Sequence, residues 1–153
     1  ISVDPWFLVG DYPGLANIIL AARKINDSMP DFVLERAHDI MEERGISSPS
    51  KVGIYGLTYK EDVDDVRESP TLQMIESMER HLAGDACKVY DPWVERDIVP
   101  GQVHTMEEFL EGLEMVIVMV GHSELKDDPS VLGDVVVLDT RNVCGTGDNI
   151  YKL

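Results

Sequence analysis

The sequence predicts an α/β protein, a Rossmann-like parallel sheet with helices on both faces, preceded by a long helical arm. Three observations carry this expectation. Residues 13–45 repeat apolar side chains at helical spacing, the rest of the chain alternates short apolar runs with helical patterns, and the runs at 115–120 and 135–138 are nearly continuous Val, Ile, Leu and Met. A strand without polar alternation is covered on both faces, as strands are when a parallel sheet lies between two layers of helices.

In the arm, Leu15, Ile18, Ile19, Ala22 and Ile25, then Met29, Phe32, Val33, Ala37, Ile40 and Met41 recur at intervals of three and four, the period of an amphipathic helix. Pro30, in Asn26-Asp-Ser-Met-Pro30, lacks the amide that a helix interior uses and disfavours helical geometry at the residue before it, so a kink or a restart is expected there. Gly45 followed by Ser47-Ser-Pro-Ser50 has the composition of a helix C-cap and a connector, dividing the chain into residues 1–45 and 46–153. Beyond it, strands are expected at 52–57, 88–90, 115–120 and 135–138, four in all, with helices at 71–82 and 106–110. Ser69-Pro70 offers a capping hydroxyl and a proline suited to the first helical turn. Lys126-Asp-Asp-Pro129 reads as an exposed turn.

The 29 acidic and 13 basic residues give a formal net charge of −16. Such a charge argues against nucleic-acid and anionic-membrane partners, and an anionic ligand would have to be held by cations gathered locally. No run of about 18 apolar residues could span a bilayer. Cys87 and Cys144 lie far apart without metal-ligand or redox spacing, so neither a disulfide framework nor a zinc site is indicated and a cytoplasmic setting is expected. Cys87 reads as a core thiol and Cys144 as a loop thiol. The opening Ile1-Ser-Val-Asp-Pro-Trp carries no methionine and no export signal, and reads as the interior of a longer protein.

Each expected strand ends in polar residues: Tyr59-Lys60, Asp91-Pro-Trp93, Gly121-His-Ser123 and Asp139-Thr-Arg-Asn142. The carboxyl ends of strands in an open α/β sheet share one edge, where ligands bind. Tyr59, Lys60 and Arg67 would set a ring and two cations beside a helix N-terminus, which suits a phosphorylated ligand. Gly53-Ile-Tyr-Gly56-Leu-Thr58 is not the Gly-x-Gly-x-x-Gly fingerprint, so a complete dinucleotide site is not expected. On spacing alone, phosphate or nucleotide binding and a purely structural domain both stand.

Gly56-Leu-Thr-Tyr-Lys60 with Asp62-Val-Asp-Asp-Val-Arg-Glu-Ser-Pro70 resembles the C-terminal domain of the UDP-glucose/GDP-mannose dehydrogenase family. Val89-Tyr-Asp-Pro92 and Leu138-Asp-Thr-Arg-Asn142 are similar to further landmarks of that family in the same order. Ile1-Ser-Val-Asp-Pro-Trp-Phe-Leu8 and Ala22-Arg-Lys-Ile-Asn-Asp27 are similar to the central helical segment of its UDP-N-acetylmannosamine branch. The resemblance implies oxidation of a UDP-sugar at C6 from alcohol to carboxylate with two NAD+, by covalent catalysis on a cysteine whose place falls one residue before Ile1. It also implies an NAD-binding domain upstream, so that this piece is inactive alone. The arm's apolar face is too long for one small sheet domain to cover, and a homodimer through it is expected.

The resemblance further implies roles for individual residues. Asp4 would be catalytic, orienting water and stabilising charge. Tyr59 would wall the UDP-sugar site, Lys60 would reach the sugar or its developing carboxylate, and Arg141 would approach the nucleotide-sugar, its planar guanidinium suiting phosphate. Read without the resemblance, Asp4 caps a turn at Pro5, Lys60 is a solvated lysine beside Glu61, Asp62, Asp64 and Asp65, and Arg141 pairs with Asp139. Arg67 and Glu68 read as a brace for their loop, His122 as structural, and Trp6 and Phe7 as packing residues.

Overall fold

The computed structural model describes residues 4–81 and 87–153. The chain opens with helix α1 (Asp4–Asp11), followed by helix α2 (Asn17–Arg44), which ends on Gly45 in the left-handed region at φ 71. The Gly45 and Ile46 amides donate to the carbonyls of Glu42 and Met41, closing the helix end that the Gly-Ser-Pro composition indicates. A 3-10 turn, Pro49–Lys51, leads into β1 (Val52–Tyr55). Then follow α3 (Pro70–His81), β2 (Lys88–Tyr90), β3 (Gln102–Val103), α4 (Met106–Leu110), β4 (Met115–Val118), α5 (Ser123–Asp127), β5 (Val136–Asp139) and β6 (Ile150–Lys152).

All six strands run parallel in the order β3-β2-β1-β4-β5-β6. This is the doubly wound order whose direction of winding reverses between β1 and β4. The two faces divide the core. Val52, Ile54, Val89, Met115, Ile117 and Leu138 pack with Val33, Ala37 and Ile40 of α2 and Met74 and Ile75 of α3. Tyr55, Tyr90, Val116, Val118 and Val137 pack on the other face with Phe109 of α4 and Leu125 of α5. Successive strand residues point to opposite faces, so both faces demand apolar side chains and the strands read as unbroken apolar runs.

Several expectations change in detail. Two edge strands, β3 of two residues and β6 of three, join the four expected. β1 stops at Tyr55, short of the expected Leu57, because Gly56 turns the backbone to φ 95. Helix α2 runs unbroken through Pro30 instead of restarting there. Pro30 is buried beside Val33, and Asp31 accepts from the Ser77 hydroxyl of α3 at 3.2 Å, so packing offsets the local cost of about 3 kcal/mol. Residues 4–11 form a helix with Asp4 in its first turn, not a turn capped by Asp4, and Trp6 and Phe7 are 40% and 65% exposed instead of packed. Lys126 and Asp127 belong to α5, while Asp128 caps the 3-10 turn Pro129–Leu132 by accepting from the Ser130 amide. The end of α3 expected at Leu82 and the residues before Asp4 lie outside the described residues.

Candidate functional site

The winding reversal places the loops after β1 and β4 side by side, and both loops are pinned. Asp91, at the end of β2, is 3% exposed. Its Oδ2 accepts from the amides of Leu57 at 2.6 Å and Thr58 at 3.0 Å, and its Oδ1 accepts from the Trp93 amide at 2.8 Å. Burial pushes the Asp91 carboxyl up, but the hydrogen bonds from His122 and from the Trp93 and Leu57 amides outweigh it and hold the group below its ordinary value. His122, after β4, is fully buried, with Nε2 3.1 Å from Asp91 Oδ2 and Nδ1 3.0 Å from the Asp62 amide. Asp62 then caps α5, accepting from the Ser123 amide at 2.9 Å and from its hydroxyl, which holds its own carboxyl below the ordinary range.

The tip of the β1 loop, Tyr59-Lys60-Glu61, is closed by the Tyr59 amide donating to the Asp65 carbonyl at 2.8 Å. This tip forms one wall of a cleft of about 470 Å³ lined by Tyr59, Lys60, Glu61, Val120, Gly121, Lys126, Arg141 and Val143. The three strand ends after β1, β4 and β5 thus bring together three of the four residues singled out in the sequence. Lys126 pairs with Glu61. Lys60 forms no ion pair with the acidic residues around it among the described residues; Asp65 is instead taken by Arg67, bidentately, at 2.9 and 2.7 Å. Arg141 does not pair with Asp139 through its guanidinium: its Nε donates to the Met119 carbonyl at 2.6 Å, while its amide donates to Asp139 Oδ1 at 3.1 Å. Three cations against one carboxylate make this a locally positive cleft on a chain of net charge −16.

Asp4 is exposed and is not among the residues lining the cleft. Tyr59 also borders a second, smaller hollow of about 230 Å³ shared with Arg23, Asn26, Asp27, Glu68, Pro70 and Gln73, which joins the arm to the β1 loop. Neither cysteine reaches a cleft wall near these residues. Both thiols are buried, and Cys144, in the loop between β5 and β6 as expected, packs into the core. Among the described residues no group of His, Cys, Asp and Glu is arranged to hold a metal ion.

Residues 53–146 match the profile of the UDP-glucose/GDP-mannose dehydrogenase family, UDP binding domain. The chain belongs to this family. It is 34% identical over 151 residues to the UDP-N-acetyl-D-mannosamine dehydrogenase of Methanocaldococcus jannaschii, covering 94% of this chain and 33% of the relative. The NDP-N-acetyl-D-galactosaminuronic acid dehydrogenase of Ralstonia nicotianae is 31% identical over 149 residues, covering 94% of this chain and 34% of the relative. Among solved structures, the UDP-N-acetyl-mannosamine dehydrogenase from S. aureus superposes with a TM-score of 0.76 at 33% identity, over 97% of this chain and 35% of that one. The chain spans about a third of the length of the curated relatives it matches.

The two glycines of Gly53-Ile-Tyr-Gly56 are taken up by packing. A Cβ on Gly53 would lie 2.3 Å from Leu113 Cδ1 and 2.6 Å from Phe109 Cε2, and one on Gly56 would lie 2.6 Å from Val120 Cβ. Both glycines make room for core packing, not for a pyrophosphate, and α3 starts 15 residues beyond the end of β1 instead of at a tight phosphate-binding turn. The network of Asp91, His122, Thr58 and Asp62 is the part of the site that residue types alone did not single out. Its one signal in the sequence is that Asp91 and His122 both stand in the polar stretches past expected strands.

Proposed function

We propose that this chain is the UDP-sugar-binding part of a nucleotide-sugar 6-dehydrogenase that oxidises UDP-N-acetyl-D-mannosamine to UDP-N-acetyl-D-mannosaminuronate with two NAD+. The observation that carries the reading is the convergence of Tyr59, Lys60 and Arg141 on one positive cleft at the winding reversal of the sheet. A diphosphate brings negative charge to a chain that otherwise repels it, and Arg141 presents its outer guanidinium nitrogens while its Nε is spent on Met119. Lys60 supplies a compact charge for the sugar or the carboxylate formed from it, and Tyr59 supplies the flat wall.

In this reading residues 1–45 belong to a central helical domain and residues 46–153 to the UDP-sugar-binding domain. NAD+ is held mainly by an N-terminal domain outside this chain. Asp4 serves in catalysis beside a nucleophilic cysteine, also outside the chain, by orienting water and stabilising charge. We assign a cytoplasmic homodimer formed through the arm, acting in the synthesis of surface polysaccharides or glycans. The N-acetylmannosamine sugar is supported by the names of the M. jannaschii and S. aureus relatives. A second reading, another N-acetylated sugar, is supported by the R. nicotianae relative.

The test is NADH formation by the intact protein offered UDP-N-acetylmannosamine, UDP-N-acetylglucosamine and UDP-glucose in parallel. Two NADH per sugar with preference for the first is the expected result. Preference for another sugar keeps the reaction and moves the substrate. No NADH with any of the three, despite UDP binding, would replace the enzyme by a non-catalytic nucleotide-binding module. In the same assay Asp4→Asn is expected to lower kcat far more than it raises KM, and equal losses in both would remove Asp4 from the chemistry.

A further inference from the structure

The loop that carries Tyr59 and Lys60 is held by a chain of hydrogen bonds in which donor and acceptor chemistry fixes the place of every proton. The Asp62 amide can only donate, so His122 Nδ1, 3.0 Å away, accepts. A neutral imidazole that accepts at Nδ1 carries its proton on Nε2. That proton faces Asp91 Oδ2 at 3.1 Å and Thr58 Oγ1 at 3.3 Å. The Thr58 hydroxyl in turn donates to the Lys60 carbonyl at 2.9 Å. The backbone just after the Lys60 Cα is therefore held twice, at the Lys60 carbonyl by Thr58 and at the amide two residues on by His122. The ring of Tyr55, edge-on to the imidazole with centroids 5.9 Å apart, fixes the plane of His122, and nothing of His122 reaches solvent.

We propose that His122, braced by Asp91, is a positioning residue for ligand binding: it fixes the backbone of residues 58–62 and thereby aims Lys60 into the cleft. The inference rests on reading that cleft as the UDP-sugar site. Two observations connect the buried ring to ligand binding and not only to stability. Asp62 is held at φ 56, a sparsely populated conformation for a residue with a side chain, and its amide bond to His122 and its carboxylate bonds to Ser123 keep it there. Lys60 has no ion-pair partner among the described residues, so the path of its backbone is what places its ammonium. A loop prepared in its bound shape costs less to order when the ligand arrives.

The experiment uses the intact protein with UDP-N-acetyl-D-mannosamine as the probe, measuring affinity by calorimetry, kcat and KM by NADH formation, and folding by thermal melting. H122Q keeps a donor for Asp91 and removes the acceptor facing the Asp62 amide, whereas H122N keeps that acceptor and removes the donor. H122Q is expected to weaken binding about tenfold, which corresponds to about 1.4 kcal/mol, and H122N to recover most of that loss. Because the effect passes through Lys60, the double variant H122Q/K60A should bind no more weakly than K60A alone. Losses that add, or H122Q with wild-type affinity, would overturn the proposal. If K60A itself binds like wild type, the reading of the cleft fails first; if K60A weakens binding and H122Q does not, only the positioning role fails. Should the His122 variants melt below the assay temperature, T58V takes their place in the cycle. It removes only the hydroxyl that holds the Lys60 carbonyl, and additive losses with K60A, or none, would overturn the proposal equally.

Discussion

At the scale of single residues the buried titratable groups divide by what surrounds them. Asp91 is surrounded by donors, and its lowered carboxyl links folding to pH. A carboxyl whose folded pKa is depressed contributes stability that is present above its unfolded pKa of about 3.9 and is lost as pH falls through the folded value. Asp91→Asn, which leaves the Leu57, Thr58 and Trp93 amides without a carboxylate, is expected to cost about 3 kcal/mol near pH 7. That difference should shrink when urea unfolding is repeated near pH 3, and a pH-independent difference would refute the linkage. The thiols behave oppositely. Burial pushes Cys87 up to about 11, and burial with the neighbouring Asp139 carboxylate pushes Cys144 up to about 12. Neither should react with iodoacetamide at neutral pH in the folded protein, while both should in denaturant; rapid labelling of either in the native state would show an open site. Tyr59, Lys60 and Arg141 were legible in the sequence because they stand in the polar stretches past strand ends and also match the family's motifs there. His122 and Asp91 stand past strand ends too, but the network they form was not legible, because their partners come from other loops, 31 residues apart in one case and 60 in another, and only the assembled sheet edge brings them together.

At the scale of elements, β1 and its exit decide where the cleft forms. Gly56 sits at φ 95 with the Val120 amide nitrogen 2.8 Å from where a Cβ would be, so it both ends the strand and lets the loop cross β4 closely. Gly56→Ala combines a forbidden backbone with a clash against main chain, and is expected to destabilise by about 3 kcal/mol, read as a lowered Tm. An unchanged Tm would mean that the crossing can relax. Helices α2, α3 and α4 and the strands β1, β4 and β5 were legible from their apolar runs or periodicity, and β2 from Lys88-Val-Tyr90, whereas α1 and α5 were not expected. The edge strands β3 and β6, of two and three residues, were not expected. The continuity of α2 was hidden because Pro30 signals a break locally, whereas burial against the sheet and α3, which no local pattern encodes, holds the helix together.

At the scale of the whole molecule, two surfaces stand out from a background of negative charge: the positive cleft and the arm. The C-terminal half of α2 is absorbed in the core, with Ile40 fully buried, and Tyr151 of β6 lies against it, accepting from Arg44 Nε at 2.6 Å and donating to Glu43 at 2.8 Å. The N-terminal half has no such cover. Ile18, Ile25 and Phe32, each seven residues after the last and so on one face, are 85%, 66% and 50% exposed, and Leu15 beside them is 87% exposed. An apolar stripe of this kind is costly in water, and a second copy of the same helix can bury it in a two-fold contact. The intact protein is therefore expected to scatter light as a dimer at micromolar concentration. Replacing Ile18 and Ile25 together with Glu should drive it to monomers, because two carboxylates per copy would be carried into the buried seam. Both positions lie outside the cleft lining, so weakened UDP-sugar binding in the dissociated variant would mean that the partner copy completes the site, and unchanged binding would confine the arm to assembly. A wild-type protein that scatters as a monomer would refute the dimer outright.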